Sequence, residues 1–410
     1  MRYWDAVFAF LVATAVAALL TPLAGHLARR VGAIAYPSDR GLAREPTPQL
    51  GGLAILAGVI LAALIWLPDT IPLRLAPTYA PRSAGVVHTW PVIGAGALIA
   101  IVGAIDDVRD LNPLLKLLGQ IGAAVIAATA GGAVIKGVQV PFLHYLAFPD
   151  GGKELTVIWL VALMNIVNFS DGVDGLAAGV CTIDGAAFAV LAFNLQGGTS
   201  AAAVLAAIAS GAALGFLFHN RYPAKIFMGD TGSNLLGYLL GVAAVIGSLK
   251  TNAVLALAVP LLVLAVPFMD TGFVVAKRLK YRNKPWTADA EHFHHRMARI
   301  GFSQRKTVAY LYAWTLMLAG VALALRFVPW DHNGHYHAGW SVVMGVILLL
   351  ALIASVYLVY VLEIFKFKSL RAIQLRRVDP DTSEHDIIAS VERDIETGEF
   401  DAVKRPEPHE

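Results

Sequence analysis

Apolar residues fill this chain in long blocks, broken by short polar stretches. Eleven apolar runs stand out, at 6–28, 51–67, 90–105, 117–135, 155–169, 175–195, 200–218, 235–249, 253–275, 308–328 and 340–364. Several are shorter than the roughly 20 residues that cross a bilayer without tilt. The fifth and eighth runs are the weakest. The pattern predicts an all-α fold, a polytopic integral membrane protein with 11 transmembrane helices. Residues 1–366 would form the membrane domain and 367–410 a charged tail, where Ser383 and Asp386 are spaced to cap a short helix.

Composition agrees with this reading. The 410 residues are 57% hydrophobic and only 15% charged, with a mean hydropathy of +0.64. A soluble domain carries about a quarter charged residues. The net charge of +3 is too small to suggest a nucleic-acid partner. The single cysteine, Cys181, lies in an apolar run, so it predicts packing and no disulfide framework. The first run is too long for the apolar part of a cleaved signal, and Arg29 and Arg30 follow it instead of preceding it.

Charge changes the picture by giving the runs a direction. With the N-terminus outside and the C-terminus cytoplasmic, 25 of the 32 lysines and arginines fall on the inner side. Trp4, Trp66, Trp90, Trp330 and Trp340 then fall at the outer boundary, as an interfacial belt. Every polar cluster falls on the cytoplasmic face of a multi-pass protein of the cell membrane, and the active site is expected there. The outer loops carry little chemistry. One of them, WDHNGHYH, holds three histidines that more simply face water.

The candidate chemistry lies in four inner stretches. Residues 165–175 read NIVNFSDGVDG, with Asn165, Asn168, Asp171 and Asp174 every three residues. On a helix or a series of tight turns that spacing brings the four side chains near one face. A lone N-cap needs one acid, so the bland reading leaves three polar groups unexplained. Asp106 and Asp107 end the third run as a general base, a metal ligand, or one of each. The plain alternative is a polar helix end capping the turn before Pro113. Lys116, one to two turns further on, could hold a phosphate nearby. Residues 227–234 read FMGDTGSN, an acid followed by Thr, Gly and Ser at a helix start. A helix start favours anions, and Asp230 fits a Mg²⁺ ligand bridging to phosphate oxygens, alongside any capping role. His292, His294 and His295 stand beside Arg296 in the longest inner loop. Their spacing could bind zinc, but the many hard carboxylate oxygens suit Mg²⁺ better, and a phosphate-binding basic cluster is the stronger reading. At least five carboxylates, a lysine and histidines at one membrane face point to phosphate chemistry between a lipid and a cytosolic compound.

The blocks PTPQLGG, GAIDD with NPLLKLLGQ, NIVNFSDGVDGLAAG, HNRYPAKIFMGDTGS and HFHHRM occur in that order. Together they give a chain that resembles the polyprenyl-phosphate N-acetylhexosamine-1-phosphate transferase family over most of its length. The resemblance implies transfer of GlcNAc-1-phosphate from UDP-GlcNAc to a polyprenyl (undecaprenyl or decaprenyl) phosphate, releasing UMP. That is the first membrane step of a cell-envelope glycan pathway. It implies Mg²⁺ as cofactor, with Mn²⁺ as a substitute, and allows a homodimer. It implies Asp106 as base toward the lipid phosphate, Asp107 as its neighbour near the metal, and Lys116 near the diphosphate. Asn165, Asn168, Asp171, Asp174 and Asn220 match the polar substrate site, Phe227 an aromatic stacked on uracil, and Asp230 the metal ligand. The H-x-H-H form of His292, His294 and His295, with Arg296, resembles the UDP-GlcNAc branch; the sister branch uses UDP-MurNAc-pentapeptide. Gln49 and Ala43 depart from the usual Arg and His of the first inner loop, and Asp184, inside the sixth run, matches no family role. An ion-coupled transporter would instead place its acids at the midplane and show paired broken helices.

The orientation is testable. A reporter fused after Arg377 should read cytoplasmic and one inserted near Gly334 should read external. An external C-terminus would show that the runs are miscounted.

Overall fold

The structure is a computed structural model, and it describes residues 3–36, 45–72, 85–135, 137–139, 145–148, 151–193, 201–248, 304–328, 331–332 and 335–360. Ten helices lie within these residues. They are α1 (Tyr3–Val31), α2 (Gly52–Trp66), α3 (Thr89–Arg109), α4 (Pro113–Ala128) and α5 (Gly152–Ser170). Then come α6 (Leu176–Phe193), α7 (Ala201–Asn220), α8 (Gly229–Ser248), α9 (Gln304–Phe327) and α10 (Ala338–Tyr360). Seven of them are long and apolar enough to cross a membrane, while α2 and α4 are apolar but shorter. The chain is an all-α, multi-pass membrane protein. The ninth run, the histidines His292, His294 and His295 with Arg296, and the tail from 367 lie outside the described residues.

Both weak runs are helices, and the structure extends them. The eighth run read as 235–249, yet α8 starts at Gly229. Its polar first turn is invisible to hydropathy, because the acceptor that completes it comes from another helix. α4 also starts earlier than its run, at Pro113. The Asn112 side chain accepts from the Leu114 N–H at 2.9 Å, and Pro113 sits in the first turn, where its missing N–H costs nothing. α4 stops at Ala128, seven residues short of the run. There the Gly131 and Ala133 N–H groups fold back onto the carbonyls of Ile126 and Ala127, and Gly132 takes φ +69°.

Among the described residues, four small antiparallel hairpins join neighbouring helices. They are β1 (Ile34–Ala35) with β2 (Thr47–Pro48), β3 (Thr70–Pro72) with β4 (Val86–His88), β5 (Gly137–Gln139) with β6 (Tyr145–Ala147), and β7 (Asp331–His332) with β8 (His335–Tyr336). Strands of two or three residues carry too little alternation to be read from sequence. The first hairpin matters most here. It pairs Ile34 with Pro48 and returns the chain toward α8. The Phe227 N–H donates to the Pro48 carbonyl at 2.8 Å, and the N–H groups of Gly51 and Gly52 donate to the carbonyls of Phe227 and Met228, each at 3.0 Å.

The core is built around α7 and α8, which are buried along most of their length. α7 is mostly Ala and Gly on the faces it presents to α1, α2 and α6. Small residues let helix backbones close in, which is how packing holds helices together where lipid removes the hydrophobic drive. At Gly237 of α8 a Cβ would lie 2.6 Å from the Leu163 carbonyl of α5, and at Gly103 of α3 it would lie 2.5 Å from the Thr231 nitrogen. By contrast α10 exposes Leu349, Leu350 and Leu352, a face suited to lipid. Asp184 of α6 is fully buried, and neither carboxylate oxygen has a hydrogen-bond partner among the described residues.

The close contacts give a paired test. A Cβ at Gly52 would sit 2.5 Å from the Thr231 carbonyl carbon, whereas one at Gly94 meets nothing within 4 Å. Gly52→Ala should lower the melting temperature in detergent by several degrees, and Gly94→Ala should leave it unchanged or slightly raised. Equal melting temperatures for the two variants would contradict this packing.

Candidate active site

One end of the bundle gathers the end of α3, the starts of α2, α4, α6 and α8, and the ends of α5 and α7. The α8 start organises them. Gly229 takes φ +66°, a conformation that favours glycine, and a Cβ there would strike the Asp107 carboxylate. Asp107 Oδ1 accepts from the Asp230 N–H at 2.8 Å. Its Oδ2 accepts from the Thr231 N–H at 3.1 Å and from the Thr231 hydroxyl at 2.6 Å. An acid from α3 therefore caps α8 across the bundle and meets the positive end of its dipole. The Gln49 amide donates to the Asp107 carbonyl at 3.0 Å, so Gln49, in place of the usual Arg, braces this acid.

Asp106 does two things at once. Its Oδ1 accepts from the Leu111 N–H at 2.8 Å, capping the turn before Pro113. Its Oδ2 lies 3.6 Å from Lys116 Nζ, which also pairs with Asp230. The side chains of Asp106, Lys116 and Asp230 are 17–20% exposed, with Asp230 Oδ2 covered beside Lys116. Asn168 Nδ2 donates to Asp230 Oδ1 at 2.6 Å and lies 2.9 Å from the Ser233 hydroxyl.

The four polar residues of 165–175 do not share one face. α5 ends at Ser170, with Asp171 as its C-cap, so the three-residue spacing crosses a helix end. Asn168 faces the site. Asn165 turns to Gln120 instead, donating to Gln120 Oε1 at 2.8 Å. Asp174 accepts from the Ala224 N–H at 2.9 Å, holding the loop before α8. Asn220 is buried and used at both ends of its amide. It accepts from the Gly175 N–H and donates to the Ile226 carbonyl, each at 2.9 Å. It braces two loops instead of presenting its amide to a ligand. Phe227 is half-buried and held by its backbone to residues 48 and 51. At the rim, the Tyr312 hydroxyl donates to the Gly175 carbonyl, and the Arg305 guanidinium lies 5.4 Å from the Tyr222 ring centroid.

Sequence reasoning assigned no part to Gln49, Gln120, Thr231, Ser233 or Asn234. A signal for two of them was present in the spacing. Gln120 stands four residues after Lys116 and Asn234 four after Asp230, one helical turn below a candidate each time.

No group of three or more His, Cys, Asp or Glu forms a metal cage among the described residues. Asp106 and Asp230 nevertheless converge on one cation, the Lys116 ammonium. A pair of hard oxygen donors facing a displaceable lysine fits Mg²⁺, which is commonly held by one or two carboxylates with substrate phosphates and water completing the shell. Asp107 fits less well, since both its oxygens already serve α8.

A sequence model of glycosyl transferase family 4 matches residues 89–248, which hold this whole cluster except Gln49 and the α9 contacts. The chain is 33% identical over 330 residues to a probable undecaprenyl-phosphate N-acetylglucosaminyl 1-phosphate transferase of Bacillus subtilis, covering 78% of this chain and 85% of that protein. It is 36% identical over 356 residues to a decaprenyl-phosphate N-acetylglucosaminephosphotransferase of Mycolicibacterium smegmatis, covering 80% and 82%. A phospho-N-acetylmuramoyl-pentapeptide-transferase of Desulforamulus reducens is 33% identical over 312 residues, covering 71% and 86%.

Asp171 supplies a pH test. Burial, with the Asp107 and Asp174 charges nearby, pushes its carboxyl well above the usual carboxylate range. A raised folded value means that the folded state holds this proton longer than the unfolded one. Asp171 therefore costs stability as pH rises from the ordinary value toward the raised one. Asp171→Asn should stabilise the protein relative to the parent by more at pH 8 than at pH 5, read from melts in detergent. A difference independent of pH would contradict the shift.

Proposed function

The chain belongs to glycosyl transferase family 4, as a polyprenyl-phosphate N-acetylhexosamine-1-phosphate transferase, and on that premise we propose that it makes polyprenyl-diphosphate-GlcNAc from UDP-GlcNAc and a polyprenyl phosphate. The observation that carries the reading is the Lys116 ammonium held between Asp106 and Asp230 at one end of the bundle. It is a place where a diphosphate and a cation would meet two carboxylates. The distribution of lysine and arginine supports the cytoplasmic side of the cell membrane for this end.

In the proposed reaction an oxygen of the lipid phosphate bonds to the sugar-bearing phosphorus of UDP-GlcNAc. The bond from that phosphorus to the bridging oxygen breaks, and UMP leaves. Asp106 takes the remaining proton from the lipid phosphate, using the oxygen that does not cap the Leu111 turn. Lys116 moves from its two carboxylates onto the diphosphate and neutralises charge as the bond breaks. Asp230, fixed by Asn168, is the proposed Mg²⁺ ligand, and the ion supplies charge neutralisation on the phosphate oxygens. Asn168 and Asp171, with Phe227 as a stacking surface, are the proposed nucleotide contacts. Asn220 and Asp174 hold the loops that carry them. His292, His294, His295 and Arg296 are proposed to complete donor selection.

Two outcomes test this. Purified protein given polyprenyl phosphate, Mg²⁺ and a panel of UDP-sugars should form lipid product with UDP-GlcNAc and release equimolar UMP. Product with UDP-MurNAc-pentapeptide alone would move the chain to the sister branch, and no UMP with any pair would remove the activity. Asp230→Asn keeps an acceptor for Asn168 but loses the charge. It should fold normally and turn over orders of magnitude more slowly. Near-parental turnover would take Asp230 out of the metal site.

A further inference from the structure

Beneath the charged cluster lies a second layer of polar side chains that the reaction does not use. Asn165 of α5, Gln120 of α4 and Asn234 of α8 form one continuous chain. Asn165 Nδ2 donates to Gln120 Oε1, Gln120 Nε2 donates to Asn234 Oδ1, and Asn234 Nδ2 donates to the Asp230 carbonyl, each at 2.8 Å. Gln120 and Asn234 are each 1% exposed, so no solvent competes for these groups. The chain runs in one sense only. Asn165 Nδ2 also donates to the Val161 carbonyl at 2.8 Å, which fixes that amide's orientation and, through it, the other two.

The layer lies in register with the site above it. Lys116 is one turn before Gln120 on α4, and Asp230 is one turn before Asn234 on α8. On α5 the site residue Asn168 follows Asn165 by three positions. Each amide thus lies one turn deeper in the bundle than a residue of the site. Sliding or rotating any one of the three helices would strain a hydrogen bond between buried amides.

We propose that Gln120, Asn165 and Asn234 are positioning residues. Their chain sets the relative register of α4, α5 and α8, so that Lys116, Asn168 and Asp230 meet at a single cation-binding point. The effect on turnover rests on the activity proposed above, and the effect on cation binding rests only on the metal site proposed with it. Ordinary interhelical glue predicts something different. Its loss would reduce the amount of folded protein and leave each folded molecule working normally.

The test uses the full-length protein in detergent, with Gln120→Leu, Asn234→Leu and the double variant. Mn²⁺ binding is followed by electron paramagnetic resonance without substrate, and kcat and KM are measured per folded molecule. Each single variant should raise the half-saturating Mn²⁺ concentration and lower kcat by about tenfold, the range for groups that orient a metal ligand. KM for UDP-GlcNAc should rise as well, because the same chain places Asn168 and Lys116, the proposed nucleotide and diphosphate contacts. The double variant should be no worse than the worse single one, since both break the same chain. Unchanged Mn²⁺ binding and kcat in folded variants, or losses that multiply, would overturn the proposal. Should Gln120→Leu fail to fold, Gln120→Glu keeps the size and the acceptor for Asn165 but removes the donor to Asn234, and the same readouts decide. A parent that binds Mn²⁺ yet releases no UMP would overturn the proposed function alone, and the Mn²⁺ shifts would still decide the positioning role.

Discussion

The capping of α8 by Asp107 is the interaction on which the rest of the site depends. A helix that begins inside a membrane bundle has first-turn N–H groups that water does not satisfy. α8 begins against α2 and α3, and its acceptor is a carboxylate from α3. Three hydrogen bonds and the helix dipole counter part of the cost of holding that acid under cover. Because the cap arrives from outside, the first turn of α8 can keep the sequence Gly-Asp-Thr-Gly-Ser. Asp230 is thereby displayed on a rigid helix start and not on a loop.

That arrangement demands backbone contact, and glycine supplies it. Gly52 and Gly103 admit the α8 start between α2 and α3, and Gly229 leaves room for the Asp107 carboxylate. Gly103 stands one turn before Asp107 on α3, so the close approach and the cap lie on the same face of one helix. Packing and capping are one feature here, since a side chain at Gly103 would push away the N–H groups that Asp107 holds.

The electrostatics follow from the packing. Asp106, Asp107, Asp171, Asp174 and Asp230 lie at one end of the bundle, with Lys116 seated between two of them. Asp107 is spent on α8 and Asp174 on the loop before it, while burial raises Asp171. What remains for chemistry is the pair Asp106 and Asp230 with the Lys116 ammonium between them. A site left rich in carboxylate is suited to a divalent cation brought in with a phosphorylated substrate.

The membrane class was legible from the apolar runs alone, because lipid leaves a spanning segment few alternatives to a continuous apolar helix. The acids and amides of the site were legible as polar groups placed where they are costly, and Asp106, Asp107, Lys116, Asn168 and Asp230 do come together. The sequence by itself thus determined the class, the family and part of the cluster, while Gln49, Thr231 and Ser233 joined it only through tertiary contacts. Tertiary structure alone decided the division of labour within it. Asp106 and Asp107 are chemically identical neighbours, yet one caps a turn and faces Lys116 while the other caps α8. Asn165 and Asn168 differ only by position on α5, yet one joins the buried amide chain and the other binds Asp230. The physical reason is that a hydrogen bond between residues 107 and 230, or 120 and 234, depends on where two helices cross. No local pattern of hydrophobicity or spacing encodes that crossing.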